Sequence, residues 1–171
     1  DDSSVALAID NTFVGNDSGG GTWTGTVSSA NTALGSLTLD AAMNGALSNT
    51  AVGYNAGSGI ISGGKNTLLG AHAGASVTTG SNNVIIGEGA GNDFDAESEN
   101  VIIGTQAATT SGFAAAQTVI IGTGAVETGQ LTADGTIAIG YQAGRALTSG
   151  GANTAIGYQA LLEHTTGSDN I

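Results

Sequence analysis

A five-residue unit, Asn-x-x-aliphatic-Gly, returns along this chain at a nearly fixed interval. A short fixed period restricts the fold to stacked repeats before any other feature is weighed. The unit is clearest as Asn83-Val84-Ile85-Ile86-Gly87 and Asn100-Val101-Ile102-Ile103-Gly104, with conservative copies at 49–53, 66–70 and 153–157. Thr takes the Asn place in 118–122 and 136–140, and the earliest copies are 11–15 and 31–35. The closing glycines fall at 15, 35, 53, 70, 87, 104, 122, 140 and 157, so every spacing after a first gap of 20 is 17 or 18. The chain starts at Asp1 rather than Met, and Asn170-Ile171 opens a further copy; both features predict a piece of a longer polypeptide.

Each unit reads as a short strand closed by glycine. Its last aliphatic position (Val14, Leu34, Val52, Leu69, Ile86, Ile103, Ile121, Ile139, Ile156) is large in every copy, which predicts a side chain pointing into a coil. The residue before it points to the opposite face. That second stripe, which includes Leu68, Ile85, Ile102 and Ile120, is also apolar throughout. A strand apolar on both faces is buried on both, and a second copy of the chain is the simplest cover. The pattern therefore predicts a homo-oligomer with its axis along the solenoid and Leu68, Ile85, Ile102 and Ile120 at the interface. Twofold and threefold symmetry fit the pattern equally. On this reading Ile85→Asp breaks assembly, whereas Ile86→Asp damages the coil itself.

The remainder of the repeat supports a narrow coil. Alanine stands three residues after each repeat glycine from Gly53 onward, marking a wall where only a methyl group fits. The glycine itself is expected where a Cβ has no room, and the recurring Asn is expected to cap the turn and stack into an amide ladder. The second half of each repeat, as in 60–64, 77–81 and 164–168, reads as another short strand running into a glycine turn. Residues 1–30 are less regular, with a strand expected at Val5–Ile9, and they read as a cap or junction before a solenoid spanning 31–171. The fold class is all-β, a parallel β-solenoid of eight to nine coils and roughly 40 Å long at about 4.8 Å per coil.

Composition excludes some partners. Only Lys65 and Arg145 are basic against 14 acidic residues, for a net charge of -12. Binding nucleic-acid phosphates or anionic lipid needs clustered cations, which this chain does not have. Cysteine is absent, so neither disulfides nor thiolate metal sites are available. No apolar run approaches the roughly 18 residues of a membrane helix, and no signal-peptide pattern opens the chain.

Candidate sites are few. Asp93, Asp95, Glu97 and Glu99 alternate, so on a strand they share one face and offer the oxygen ligands that Ca2+ favours. The alternative is a solvated acidic loop. Trp23, Tyr54, Tyr141 and Tyr158 are candidates for stacking on sugar rings. The alternatives are an end plug for Trp23 and a structural ladder for the tyrosines. His72 and His164 occupy different repeat positions and form no designed pair. No nucleophile elbow or phosphate loop is present, and no enzymatic activity is expected.

Val101-Ile102-Ile103-Gly104, Ile137-Ala138-Ile139-Gly140 and Thr154-Ala155-Ile156-Gly157 resemble the short repeat of trimeric autotransporter adhesin heads. The longer string from Asn153 to Asn170 is more similar still to repeats of phage tail fibres. The likeness covers residues 31–171. It implies left-handed β-rolls trimerised about the roll axis, in an extracellular module that adheres or spaces. A phage tail fibre, in host attachment or as a rigid shaft, is the leading expectation, and a bacterial surface adhesin head is the alternative. Either takes itself as partner, with a cell-surface glycan or protein as receptor. A rival from another class is an ice-binding solenoid that presents Thr78-Thr79, Thr109-Thr110 and Thr165-Thr166 on a flat face.

Overall fold

The computed structural model describes residues 10–23 and 25–171. The strand expected at Val5–Ile9 lies outside them. The described residues form nine strands of three residues each: β1 (Thr12–Val14), β2 (Thr32–Leu34), β3 (Thr50–Val52), β4 (Thr67–Leu69), β5 (Val84–Ile86), β6 (Val101–Ile103), β7 (Val119–Ile121), β8 (Ile137–Ile139) and β9 (Thr154–Ile156). They lie side by side in chain order in one sheet. Every pair is parallel and in register, repeat position on repeat position, as in Ile85 beside Ile102 and Ile102 beside Ile120. The protein is thus a parallel β-solenoid of about eight turns, with one strand per coil. β1 already belongs to the sheet, so the regular stack begins before residue 31.

Two features keep each strand to three residues. The residue before each Asn or Thr turns left-handed, as at Asn82 (φ 61°) and Glu99 (φ 64°). The repeat glycine then ends the strand, as at Gly70 with φ 133°. A Cβ on Gly70 would sit 2.6 Å from the carbonyl oxygen of Gly87 in the next coil. No L-residue side chain fits that approach, which explains why glycine closes every unit.

The second strand expected in each repeat does not form. The described residues outside the sheet are turns and bends, with isolated bridges at Ser29–Leu47 and Ser149–Thr166. Coil-to-coil bonding nevertheless continues there, as in His72 N–H to Tyr54 O (2.8 Å) and Gly57 N–H to Ala73 O (3.0 Å). Turn backbone therefore stacks almost as regularly as strand backbone.

The interior corrects the facing of the strand. Leu68, Ile85, Ile102 and Ile120 are 0% exposed within a single chain. They fill the coil and are not on an outer face, so the interface expected at them is not there. The first and third strand positions point outward together, and Val14 (55%), Leu34 (51%) and Ile156 (65%) are among the most exposed apolar side chains. In a three-residue strand only the middle side chain can turn inward, because alternate residues share a face. The roles of the two aspartate substitutions accordingly exchange.

A narrow interior must conserve volume, and the chain does so across two positions. The fourth residue after the repeat glycine is Leu39 where the strand contributes Ala33, and it is Gly74 or Gly91 where the strand contributes Leu68 or Ile85. Gly74 is bordered by Leu68, Ile85 and Val77, and Gly91 by Ile85 and Phe94. The alanines three residues after the glycine, Ala56 through Ala143, are fully buried as methyl-sized fillers. Where both positions are small, as at Ala51 and Gly57, Leu68 of the next coil and Leu39 of the one before take up the space, so volume is shared between neighbouring coils.

The amide ladder forms along one corner of the stack. The Oδ1 of Asn49 accepts both the main-chain N–H (3.0 Å) and the Nδ2 (3.0 Å) of Asn66. Asn66 Oδ1 does the same for Asn83, at 3.0 and 3.1 Å. Each Nδ2 also crosses its own coil to a turn carbonyl, as from Asn66 to Gly80 O at 2.9 Å. These bonds satisfy main-chain groups that are buried beyond the reach of water.

Candidate interaction surface

The outward rows of the sheet make a uniform surface that runs the length of the nine strands. Thr12, Thr32, Thr50 and Thr67 line one edge, followed by Val84, Val101, Val119 and Ile137, with Thr154 last. The parallel edge runs from Val14 through Ile86 and Ile103 to Ile156. None of these positions carries a charge, although the chain has a net charge of -12. Val84, Ile86, Val101, Ile103, Val119 and Ile121 are half-buried by their neighbours and still open to solvent on one side. Contiguous exposed apolar surface makes this face the candidate for an interaction. Each such side chain that a partner covers contributes on the order of 1 kcal/mol.

The sequence carried a signal for this face. Thr at the first strand position shares its side with the third position, so a polar residue there identifies the outward side. The middle position, alternating between Ala and Leu or Ile, reads as the volume-limited interior.

The acidic run does not assemble. Residues 92–99 are turns and bends rather than a strand, with Phe94 pointing inward onto Phe113 (centroids 4.3 Å apart, 23° between planes). Asp95 accepts from the Thr78 hydroxyl. Glu97 Oε2 accepts the Asp95 N–H (2.7 Å), and Glu99 Oε2 accepts from Gln117 Nε2 (2.8 Å). The carboxylates are thus spent on separate partners. Among the described residues no three His, Cys, Asp or Glu side chains gather closely enough to hold a metal ion. The Ca2+ site expected at Asp93, Asp95, Glu97 and Glu99 required a strand that the chain does not form.

The aromatic candidates divide. Tyr141 and Tyr158 stack at 5.4 Å with 12° between planes and remain 44% and 73% exposed, which makes them a ladder with one open end. Tyr54 is also exposed and meets the His72 ring edge-on at 5.2 Å. Trp23 is half-buried against Phe13, at 5.4 Å and 84°, and its buried Nε1 has no hydrogen-bond partner among the described residues. An indole held this way keeps its nitrogen edge buried and packs on the first strand. Thr78 and Thr165 share one wall while Thr110 bonds to Glu127 O on another, so the threonine pairs make no common row. The threonines that do align are those of β1 to β4.

No helix among the described residues is long and apolar enough to cross a membrane. No family model matches the chain, and no curated protein or solved structure matches it either.

Proposed function

We propose that this chain is a rigid structural segment of a homotrimeric extracellular fibre, of the kind that phage tail fibres use to carry or space a receptor-contacting surface. The observation that carries the reading is the uncharged sheet face. Its first and third strand positions are Thr, Val, Leu or Ile in every coil, and the charged residues of the described chain all fall outside the strands. Three copies meeting about an axis parallel to the stack cover the three faces at once and leave the charged turns in water. Repetition in register also extends the contact evenly along the rod. The resemblance of the 153–170 string to tail-fibre repeats supports the fibre over the alternative of a bacterial adhesin head. The proposed work is mechanical, with no catalytic step.

Light scattering on the purified chain tests this directly. The expected mass is three times 16.4 kDa. Ile86→Asp with Ile103→Asp, both outward, is expected to return the mass to one chain while the circular dichroism of the solenoid persists. Ile85→Asp, inward, is expected to abolish the fold itself, because a buried unpaired carboxylate costs several kcal/mol. A wild-type monomer would sink the trimer.

The aligned threonines of β1 to β4 favour a second reading, an ice-binding face. It predicts thermal hysteresis from the wild-type chain, lost on Thr50→Tyr.

A further inference from the structure

A second, outer ladder runs along the turn that follows the sheet. The residue two places after each repeat glycine has a left-handed backbone: Asn55 (φ 58°), His72 (58°), Gly89 (64°), Gln106 (54°), Gln142 (53°) and Gln159 (54°) among them. This conformation aims the side chains of successive coils at one another. Asn55 Nδ2 lies 3.2 Å from His72 Nδ1, and Gln159 Nε2 donates to Gln142 Oε1 at 3.0 Å. A rung is missing at Gly89 and again at Gly124, where φ is 63° and Glu127 Oε2 already crowds the gap, 3.2 Å from where a Cβ would stand. His72 and Gln106 face each other across two coil rises, roughly 10 Å, over a groove of about 410 Å³. A Cβ on Gly89 would meet nothing closer than Gln106 Cγ at 3.8 Å, so the space is open.

The walls of this groove consist of hydrogen-bonding groups. Glu88 and Gln106 are exposed, Asn92 and Thr109 are half-buried beside them, and Glu127 closes the far end. Glu127 is held by Arg145, whose Nε donates to Oε2 at 3.1 Å, so the nearby cation is already engaged. Asn55 Nδ2 is paired with His72 Nδ1, which leaves Nε2 as the ring nitrogen for a ligand. Two carboxylates in the walls and a net charge of -12 oppose any anionic ligand. Among the described residues no three His, Cys, Asp or Glu side chains converge, so the walls offer no ready-made set of metal ligands. What remains is a ligand rich in neutral groups that both donate and accept. The volume lies within the range of small-molecule sites, about 300–1,000 Å³.

We propose that the missing rung at Gly89 is a binding groove for a neutral saccharide. One pyranose ring takes the place of the absent side chain. Its hydroxyls donate to Glu88 and Glu127 and accept from Gln106, Asn92 and His72, and Tyr54 buttresses the His72 ring. The proposal names the receptor class of the fibre reading and rests on it for biological purpose only, because the groove is complete on a single chain.

Saturation-transfer NMR on the wild-type chain tests it with the methyl glycosides of glucose, galactose, mannose and N-acetylglucosamine, and with galacturonate as the anionic control. Transfer to at least one neutral glycoside and none to galacturonate is the expected result. Gly89→Gln restores the rung with a residue that the same turn already accepts at Gln106, Gln142 and Gln159. It is expected to weaken binding at least tenfold while leaving thermal unfolding and particle mass unchanged. Gln106→Ala, at an exposed position, is the second probe and is expected to weaken binding without filling the groove. Absence of transfer to every neutral glycoside, equal transfer to galacturonate, or undiminished binding by both variants would each overturn the proposal. Mass separates the two readings: a monomer that binds sugar defeats the fibre alone, and a trimer that binds none defeats the groove alone.

Discussion

The stack from β1 to β6 and the stack from β6 to β8 have the same backbone path but are held by different means. In the first, Asn11, Asn31, Asn49, Asn66, Asn83 and Asn100 form an unbroken amide row, each linked through its main-chain N–H to the Asn before it. In the second, Thr118 reaches Asn100 with its N–H (3.0 Å) and hydroxyl (2.9 Å), and among the described residues no further rung of that kind appears until Asn170 meets Asn153. The switch leaves Asn100 Nδ2 and the Thr136 hydroxyl buried without partners among the described residues. Threonine is too short to cross the coil as asparagine does. Apolar filling continues through both stretches: Phe113 stacks on Phe94 of the preceding coil, and Val126 and Leu131 belong to the same core as Leu39, Met43 and Ile60. The stack therefore keeps its register with the polar row and, over two coils, with main-chain bonds and apolar filling alone.

Substitutions can separate these modes. The largest effect is expected from Phe113→Ala in the second stretch, about 3–5 kcal/mol of destabilisation from lost burial and a cavity, read by chemical denaturation. If Phe113 only decorates a wall fastened elsewhere, the loss will fall well below that range. Asn66→Ala in the first stretch is expected to cost about 2 kcal/mol, because it strands the Asn83 N–H and the Gly80 carbonyl together. Hydrogen exchange at Asn83 should accelerate with it. The smallest change is a gain. Thr118→Asn offers an Oδ1 to the main chain of Thr136 and should add up to about 1 kcal/mol, seen as a modest rise in Tm. No rise would mean that the second stretch has settled into a spacing the amide row cannot span.

Much of this architecture was legible in the sequence, because periodicity reports stacking directly. The recurrence of Asn, Gly and Ala at fixed offsets gave the parallel register, the close glycine approach, the methyl-sized wall and the amide row. The facing of the strand was less accessible, since both of its sides are apolar in the later coils. Thr50 and Thr67 hold the answer, through the side they share with Val52 and Leu69. Two other expectations assumed extended backbone where the chain turns: the second strand of each repeat and the shared face of Asp93, Asp95, Glu97 and Glu99. Alternation of residue types implies a common face only on a strand. The outer groove left no motif, because it arises from a side chain missing at Gly89.

Nearly all the bonds that join one coil to the next run along the axis, which gives the rod a particular response to load. Within one coil boundary the bonds share a tensile force, whereas successive boundaries bear it one after another. Stretching therefore tests the weakest boundary and not the average. The interruption between Thr118 and Asn153 puts that boundary in the carboxy-terminal half, where the rod should part first under tension while the coils around the asparagine row stay closed.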